Sequence, residues 1–295
     1  MEIGIAFPKV MPVGDSARII EWAERADDGP FSSLAMVDRL VYGNHDPLIV
    51  FAVAAAVTSR IRLMPTVLLL SLRNAAIVAK QVASIDAISG GRFSLGIGVG
   101  SRPDDFAAAG VSMKARGRRL DEQVATLRRI WAGEPAAEGA GPIGPAPARA
   151  GGPELLIGGR SVPALERAGR LGDGYVAGAA GAGVSNQAQE VAGYYKVVEA
   201  AWKDAGKAGR PRLVVALSCA VGEYAAERTR ESMRSYYAFR GEAAKSMDMS
   251  IPSTPEAILD GIGVFEDLGA DELILEPGHA DLDQVDRLAD VVAGL

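Results

Sequence analysis

The 295-residue chain is poor in the side chains from which proteins build disulfides and metal sites. It has one cysteine, Cys219, and two histidines, His45 and His279. A single cysteine cannot form an intramolecular disulfide, which favours a reducing compartment, and we expect a cytoplasmic protein. Because zinc and iron sites need several such ligands, we also expect no metal.

The chain also lacks the features of nucleic-acid-binding and membrane proteins. Its formal net charge is −6, so it offers no broad basic surface to a nucleic acid. No uncharged apolar run reaches the length of a transmembrane helix. The first residues, MEIGIAFP, lack the basic and long apolar segments of a signal peptide. We therefore expect a small-molecule substrate, and neither nucleic acid nor a membrane as a partner.

What the chain does have is a regular alternation of strand and helix patterns. Residues 46–100 hold two apolar strand-like runs, each preceded by a helical pattern, which is typical of a parallel sheet with helices outside it. Helical patterns separate further strands along the chain. Eight strands are predicted, over residues 3–7, 33–37, 60–70, 93–99, 155–158, 174–177, 212–221 and 272–276.

Eight strands in this order and a chain of this length predict a (β/α)8 TIM barrel, a single α/β domain over residues 1–295 with insertion loops at its carboxyl mouth. A doubly wound open sheet is the alternative, but its usual Gly-rich turn after the first strand is replaced here by Pro8-Lys9-Val10. Residues 133–153 are rich in Gly, Ala and Pro, which indicates a long surface loop or a linker between two domains. The strand-helix order resumes directly afterwards, which favours the loop.

In such a barrel the functional residues follow the carboxyl ends of the strands. Asp38 and Arg39 follow the second strand, where they can orient a cofactor, bind a substrate or form a surface ion pair. His45, further along the same loop, is a candidate general acid or base, or a plain surface histidine before a helix. These three residues form the predicted catalytic group.

Glycines follow the fourth and fifth strands. Alternating glycines in GIGVGS, residues 96–101, let the backbone approach a flat ligand, although glycines also serve barrel turns. The sequence GGRS, residues 158–161, leads directly into a helix. Backbone N–H groups, the helix dipole and Ser161 would face an anion there, which predicts a phosphate site; alternatively, Ser161 caps its own helix.

Three long blocks, in the correct order, resemble the luciferase-like flavin-dependent oxidoreductases: AAAVTSRIRLMPTVLLLSLRNAAIVAKQVASIDAISGGRFSLGIGVG, RGRRLDEQVATLRRIW and LLIGGRSVPALERAGRLGDGY. The resemblance covers nearly the whole chain and implies the same barrel fold, with reduced FMN or the deazaflavin coenzyme F420 over its mouth. It implies that Gly158, Gly159, Arg160 and Ser161 hold the cofactor phosphate. It also implies a turn under the cofactor tail at Gly98, Gly100 and Ser101, and a non-prolyl cis peptide under the ring at Thr66 and Val67.

The sequence departs from the family at one point. Many relatives carry an Asp-His pair after the second strand, whereas this chain has Asp38-Arg39, and an arginine does not deprotonate in a protein. Arg39 is then a candidate to bind an anionic substrate or to stabilise negative charge on the reduced cofactor. His45 can replace the missing imidazole only if its loop folds inward.

Two activities follow from the resemblance. Relatives with FMN oxygenate a substrate with dioxygen, and relatives with coenzyme F420 pass hydride; the short chain and compact loops favour F420. Two alternatives stand beside these: a catalytically idle cofactor-binding homologue, and a flavin-free phosphate-binding barrel enzyme with a smaller pocket and no cis bond at Thr66. A homodimer through the second and third helices is compatible with the apolar segment 47–57.

The substrate is expected to be small and hydrophobic, because apolar side chains are candidates to line its pocket. The lining is expected to come from the variable loops over residues 101–115, 178–186 and 240–252. The candidates are Met64, Leu70, Met113, Tyr236, Phe239, Met247 and Met249.

Overall fold

The computed structural model describes residues 1–9, 16–178, 183–242 and 250–295. Within these residues, nine parallel strand segments form one sheet in the order β3-β2-β1-β9-β8-β7-β6-β5-β4. A further parallel bridge between Leu63 and Phe93 brings the two edges of this sheet together into a nearly closed barrel. The predicted α/β barrel is confirmed. The strands are β1 (Glu2–Ala6), β2 (Ser33–Met36), β3 (Arg62–Pro65), β4 (Leu68–Leu69), β5 (Ser94–Gly98), β6 (Glu154–Gly158), β7 (Gly174–Gly178), β8 (Arg212–Cys219) and β9 (Glu272–Pro277).

Helices connect successive strands and pack outside the barrel. Local signals set several of their starts: the Asp46 side chain accepts from the N–H groups of Leu48 and Ile49, and Thr254 caps a later helix in the same way. The helices in the described part of the chain are α1 (Ser16–Asp28), α2 (Pro47–Val57), α3 (Ala75–Ile88), α4 (Pro103–Ala109), α5 (Arg116–Trp131), α6 (Val162–Leu171), α7 (Gly183–Asp204), α8 (Ala225–Tyr237), α9 (Pro255–Asp267) and α10 (Asp283–Val292). None of them is both long and apolar enough to cross a membrane.

The structure corrects two sequence predictions and leaves others untested. The strand expected over residues 60–70 is interrupted between β3 and β4, and Leu70 begins a short 3₁₀ turn instead. The segment expected as a loop over residues 101–115 contains helix α4, which starts at Pro103 and ends at Gly110 in the left-handed conformation. The sequence offers Asp15 or Ser16 as the cap of α1, and Asp15 lies outside the described residues.

The interior of the barrel is filled in layers. Eight side chains form an apolar cluster of their own, separate from the large core between strands and helices. Because side chains alternate along a strand, these eight point inward and their sequence neighbours point outward. They are Ala6, Ala35, Met64, Leu156, Val176, Val214, Ala216 and Ile274.

Charged side chains close the amino end of the barrel below this apolar layer. Glu272 is fully buried and accepts from the Arg212 guanidinium at 2.5 Å and from that of Arg62 at 3.1 Å. Arg212 also donates to Glu154 at 2.8 Å. Buried acids and guanidiniums are tolerated when each finds such partners, so this end forms a closed floor, and the chemistry belongs at the opposite end.

The opposite, carboxyl end, which we call the mouth, depends on Gly96. A Cβ at Gly96 would lie 2.1 Å from the Pro65 carbonyl oxygen, so the backbone between β3 and β4 occupies the place of a side chain. We call residues 65–67 the β3–β4 kink. We expect Gly96→Ala to lower the free energy of unfolding by at least about 3 kcal/mol, since backbone cannot move aside as a flexible side chain can.

Gly178→Ala is the matched control, because Gly178 also lies on a strand of the barrel, at the end of β7, but has open space at its Cβ position. This variant is expected to change the free energy of unfolding by less than about 1 kcal/mol. Urea denaturation of both variants measures the difference. Equal stability of the two would show that the kink does not require Gly96.

Candidate functional site

The β3–β4 kink lies in the mouth and is held from both sides. Its Thr66–Val67 peptide bond is cis, as predicted. The N–H of Thr66 donates to the carbonyl of Met36 on β2 at 2.8 Å. On the other side, Val67 packs onto the inner apolar cluster and over the strand ends of β5 and β6. The kink therefore forms a fixed apolar platform across the mouth.

Gly98 and Gly158 provide the room for this platform. A Cβ at Gly98 would lie 2.6 Å from Val67, and a Cβ at Gly158 would lie 3.0 Å from it. The sequence interpretation gave the space beside the alternating glycines to a flat ligand. In the structure, Pro65 and Val67 take the space beside Gly96 and Gly98, so these glycines shape the platform. That Gly98 and Gly158 also contact a cofactor remains a prediction.

The loop between β6 and α6 borders the platform at residues 159–161. Gly159 has φ +153°, and a Cβ there would lie 2.5 Å from Ala164 on α6, so a side chain is excluded. The hydroxyl of Tyr175 donates to the Gly159 carbonyl at 2.7 Å, and the Arg160 guanidinium donates to the Gly178 carbonyl at 2.8 Å. These bonds fix the loop from β7.

Ser161 is exposed at the start of α6 and makes no capping bond to its own helix. The capping alternative is therefore not what the structure shows. A helix start with exposed Arg160 and a free hydroxyl fits an anion, because the first N–H groups and the dipole of the helix favour negative charge. Gly100, with φ +75°, packs on Phe106, and Ser101 is exposed between β5 and α4.

Asp38 is committed to contacts within the chain. It is buried, accepts from the N–H of Leu69 at 2.9 Å, and takes two bonds from Arg73 at 3.0 Å. Arg73 also donates a hydrogen bond to the Asp46 carboxylate at 2.7 Å. Burial raises the pKa of Asp38, and the charge of Arg73 opposes the rise only in part. These contacts tie β2 to the segment after β4.

Arg39 is buried as well and already has anionic partners. Its Nε lies 3.1 Å from Asp105, its Nη2 lies 3.4 Å from Asp104, and Nη2 also donates to the Val41 carbonyl at 2.7 Å. Asp105 is 1% exposed and also accepts from the N–H of Val41. Arg39 therefore joins the loop after β2 to helix α4. Its Nη1 is the buried guanidinium atom that has no partner within the described residues.

His45 does not join this arrangement. It is half-buried before α2, and its Nε2 is buried without a partner among the described residues. Within the described residues, no hydrogen bond or ion pair links it to Asp38 or Arg39. The structure thus brings Asp38 and Arg39 to the mouth in separate ion pairs, while a catalytic role for His45 remains a prediction.

Sequence reasoning missed a second charged group at the mouth. The Lys9 ammonium forms an ion pair with Glu276 and lies 3.4 Å from the Ser218 hydroxyl, which itself donates to Glu276 at 3.2 Å. These residues come from the ends of β1, β9 and β8, which are neighbours in the barrel. A charged residue at the carboxyl end of an inner strand was the available signal, and Glu276 in ELILEP carried it.

Aromatic and cationic side chains connect the two charged groups. The Arg102 guanidinium lies 4.6 Å from the Tyr236 ring and 3.7 Å from that of Phe239, and Arg39 lies 5.8 Å from Tyr236. Tyr236 and Phe239 were candidates for the pocket, and the structure places them together here. Met64 and Leu70 were wrong as pocket residues, since both are core side chains that are 0–1% exposed. Met113 is half-buried, and Met247 and Met249 lie outside the described residues.

A match to a known family decides what this barrel is. The family model described as luciferase-like monooxygenase matches residues 1–254. The chain belongs to the luciferase-like monooxygenase family.

Curated relatives and solved structures agree with this membership. An uncharacterised protein of Mycobacterium tuberculosis is 30% identical over 192 residues, and the match spans 54% of this chain and 64% of that relative. The coenzyme F420-dependent tetrahydromethanopterin reductase of Methanopyrus kandleri has a similar structure, with a TM-score of 0.74, 18% identity, and coverage of 100% of this chain and 99% of its own.

A third similar structure is the oxygenating constituent of 3,6-diketocamphane monooxygenase from Pseudomonas putida, in complex with FMN. Its TM-score is 0.78 at 20% identity, with coverage of 98% of this chain and 95% of that one. At these identities the two structures show the shared fold. In this member of the luciferase-like family, Arg39 follows the second strand and forms a buried ion pair with Asp105.

The Arg39–Asp105 pair gives a stability prediction. Replacing Asp105 by Ala leaves the buried Arg39 charge with one longer ion pair, to the half-exposed Asp104, besides its bond to the Val41 carbonyl. We expect Asp105→Ala to lower the free energy of unfolding by about 3 kcal/mol, the usual cost of removing one partner of a buried pair. Urea denaturation measures it.

Asp104→Ala is the control, since this exposed carboxylate sits on the same helix and also faces Arg39. Its expected effect is below about 1 kcal/mol. If the two variants are equally stable, Arg39 is not held by Asp105 and is free to serve a ligand.

Proposed function

We propose that the protein is an oxidoreductase that binds a reduced flavin-type cofactor, coenzyme F420 or FMN, and acts on a small hydrophobic organic molecule. The observation that carries the proposal is the mouth itself. An apolar platform at Val67 is seated on Gly98 and Gly158, beside the exposed and uncapped start of α6. A flat ring with a phosphate-bearing tail matches these two parts.

The residues at the mouth have distinct parts in this proposal. Thr66 and Val67 support the ring, and Gly98, Gly100 and Ser101 form the turn beside it. Gly159, Arg160 and Ser161 hold the phosphate through backbone N–H groups, a guanidinium and a hydroxyl. The cofactor supplies the redox chemistry, while the protein positions it and shields it from water. Asp38 and Arg39 act by fixing the loops around the site, because both are already paired.

Coenzyme F420 is our preferred cofactor, and direct binding decides between the two. Titration of the purified protein with each cofactor, followed by fluorescence, is expected to give saturable binding of F420 that is at least about tenfold tighter than that of FMN. Ser161→Ala is expected to weaken binding of the preferred cofactor by about three- to tenfold without changing thermal stability, since Ser161 makes no bond to its helix.

Arg118→Ala is the control, because this arginine is also exposed but lies on α5. Tight binding of FMN with no binding of F420 would overturn the preference. No binding of either cofactor would overturn the proposed function. The two similar structures support both cofactors, one named as F420-dependent and the other as an FMN complex.

The bond from Tyr175 to Gly159 gives a second prediction. Burial raises the pKa of Tyr175, so its hydroxyl remains a donor at neutral pH. Tyr175→Phe removes this donor and leaves the loop carbonyl unpaired. We expect a loss of about 1 kcal/mol in the free energy of unfolding, together with at least about threefold weaker cofactor binding.

Tyr195→Phe is the matched control. Its hydroxyl likewise donates to a backbone carbonyl, that of Pro211, at 2.5 Å, but away from the mouth. This variant is expected to lose similar stability and to keep cofactor affinity. If both variants bind the cofactor equally, the loop at residues 159–161 does not contact the cofactor.

The catalytically idle homologue is the second candidate, and the replacement of the usual histidine by Arg39 favours it. Cofactor oxidation that depends on an added alcohol, aldehyde or unsaturated carbonyl compound distinguishes the two candidates. Turnover of any such compound rules out the idle homologue. Cofactor binding without turnover across a broad panel of these compounds supports it.

A further inference from the structure

The ion pair between Lys9 and Glu276 faces the mouth from the side opposite the glycines. Ile274 belongs to the inner cluster of the barrel, so by alternation along β9 the side chain of Glu276 also points inward. Ser218 pairs with Glu276 across the sheet and points inward by the same rule from Ala216. The mouth therefore has a glycine wall at β5 and β6 and a polar wall at β8, β9 and β1.

The polar wall has unused hydrogen-bonding capacity. A lysine ammonium has three N–H donors, and Lys9 uses two of them, on Glu276 and Ser218. Glu276 receives both of its side-chain bonds on Oε2, and its Oε1 has no bond within the described part of the chain. One donor of Lys9 and one acceptor of Glu276 thus remain without a bond in the described part of the chain.

Lys9 is charged at neutral pH. Burial alone would lower its pKa, but the charge of Glu276 and the hydrogen bond to it oppose burial, and the net shift of the pKa is upward. The pair is only about one-tenth exposed on each side. Replacing a buried ion pair by apolar side chains of the same size often leaves the stability of a protein unchanged or higher. Stability alone therefore does not explain the charges of Lys9 and Glu276.

The surroundings of the pair are electrically balanced. The cations near Tyr236 are Lys9, Arg39 and Arg102, and the acids facing them are Glu276, Asp104 and Asp105. Three positive and three negative charges leave this group with no net charge that would attract an ionic ligand. A neutral ligand that offers an oxygen acceptor, or an O–H group, fits the free donor and acceptor best.

We propose that Lys9 and Glu276 bind the oxygen of a neutral carbonyl or alcohol substrate. Lys9 donates to this oxygen, and Glu276 accepts from the hydroxyl of the alcohol form while holding Lys9 in place. The inference rests on the proposed function in that it names the substrate class of the same mouth. The carbon that bears the oxygen then lies between the polar wall and the platform at Val67.

Three probes with the same ring, similar size and different charge test the proposal: cyclohexyl methyl ketone, cyclohexanecarboxylate and 1-cyclohexylethylammonium. Their affinities for the full chain are measured by NMR titration, with and without FMN or F420. The unchanged protein is expected to bind the ketone at least about tenfold more tightly than either ion.

Single substitutions shift this preference in opposite directions. Lys9→Met keeps the length of the side chain and removes its charge, so ketone affinity is expected to fall at least about tenfold and the ammonium probe to gain. Glu276→Gln keeps the shape and leaves one positive charge in excess, so the carboxylate probe is expected to gain about tenfold. A gain of binding cannot come from a misfolded protein, which keeps the test valid if one variant loses stability.

The exposed pair Arg118–Glu122 on α5 provides the controls Arg118→Met and Glu122→Gln, which are expected to change no affinity. Unchanged probe preferences in both Lys9→Met and Glu276→Gln overturn the inference, and so does stronger binding of either ion than of the ketone by the unchanged protein. Cofactor binding with unchanged probe preferences leaves the proposed function intact. If the two variants change the probe preferences but the protein binds neither cofactor, the proposed function is refuted and the inference about Lys9 and Glu276 stands.

Discussion

The mouth of this barrel depends on the absence of side chains at three inner positions. Gly96 leaves room for the Pro65 carbonyl, and Gly98 and Gly158 leave room for Val67. Without that room the backbone between β3 and β4 could not cross the opening while the strands on both sides remain paired. The strands β5 and β6 therefore determine the platform as much as the kink does, because their glycines leave the space that the kink occupies.

A platform on one wall makes the mouth asymmetric. The glycine wall continues into the start of α6, which suits an anionic group, whereas β8, β9 and β1 supply Lys9, Ser218 and Glu276. Below both walls lies the inner apolar cluster, and below that cluster the ion pairs around Glu272 form the closed floor. A cofactor and a substrate that share this opening therefore meet different chemistry, a flat apolar surface on one side and a donor–acceptor pair on the other.

Local sequence signals predicted the fold well. The alternation of strands and helices gave the barrel, and β6 and β7 lie within one residue of their predicted bounds. The interruption at Thr66–Val67 came from the family resemblance, because an apolar run looks continuous by period alone. What could not be predicted were pairings across the fold. Arg39 meets Asp105 from 66 residues away and Lys9 meets Glu276 from 267 residues away, and only barrel closure brings these charges together.

Arg39 stands where the family resemblance led us to expect a histidine, and its first consequence is structural. A histidine can leave its partner and exchange a proton, whereas Arg39 is always charged, and once buried it requires an acid, which α4 supplies as Asp105. The replacement therefore fastens α4 and the loop after β2 together beside the mouth. It also removes the proton-exchanging group from that side. With Arg39 held by Asp105, we infer that the contact with the substrate's oxygen comes from the opposite wall, where Lys9 and Glu276 form an inward-facing pair.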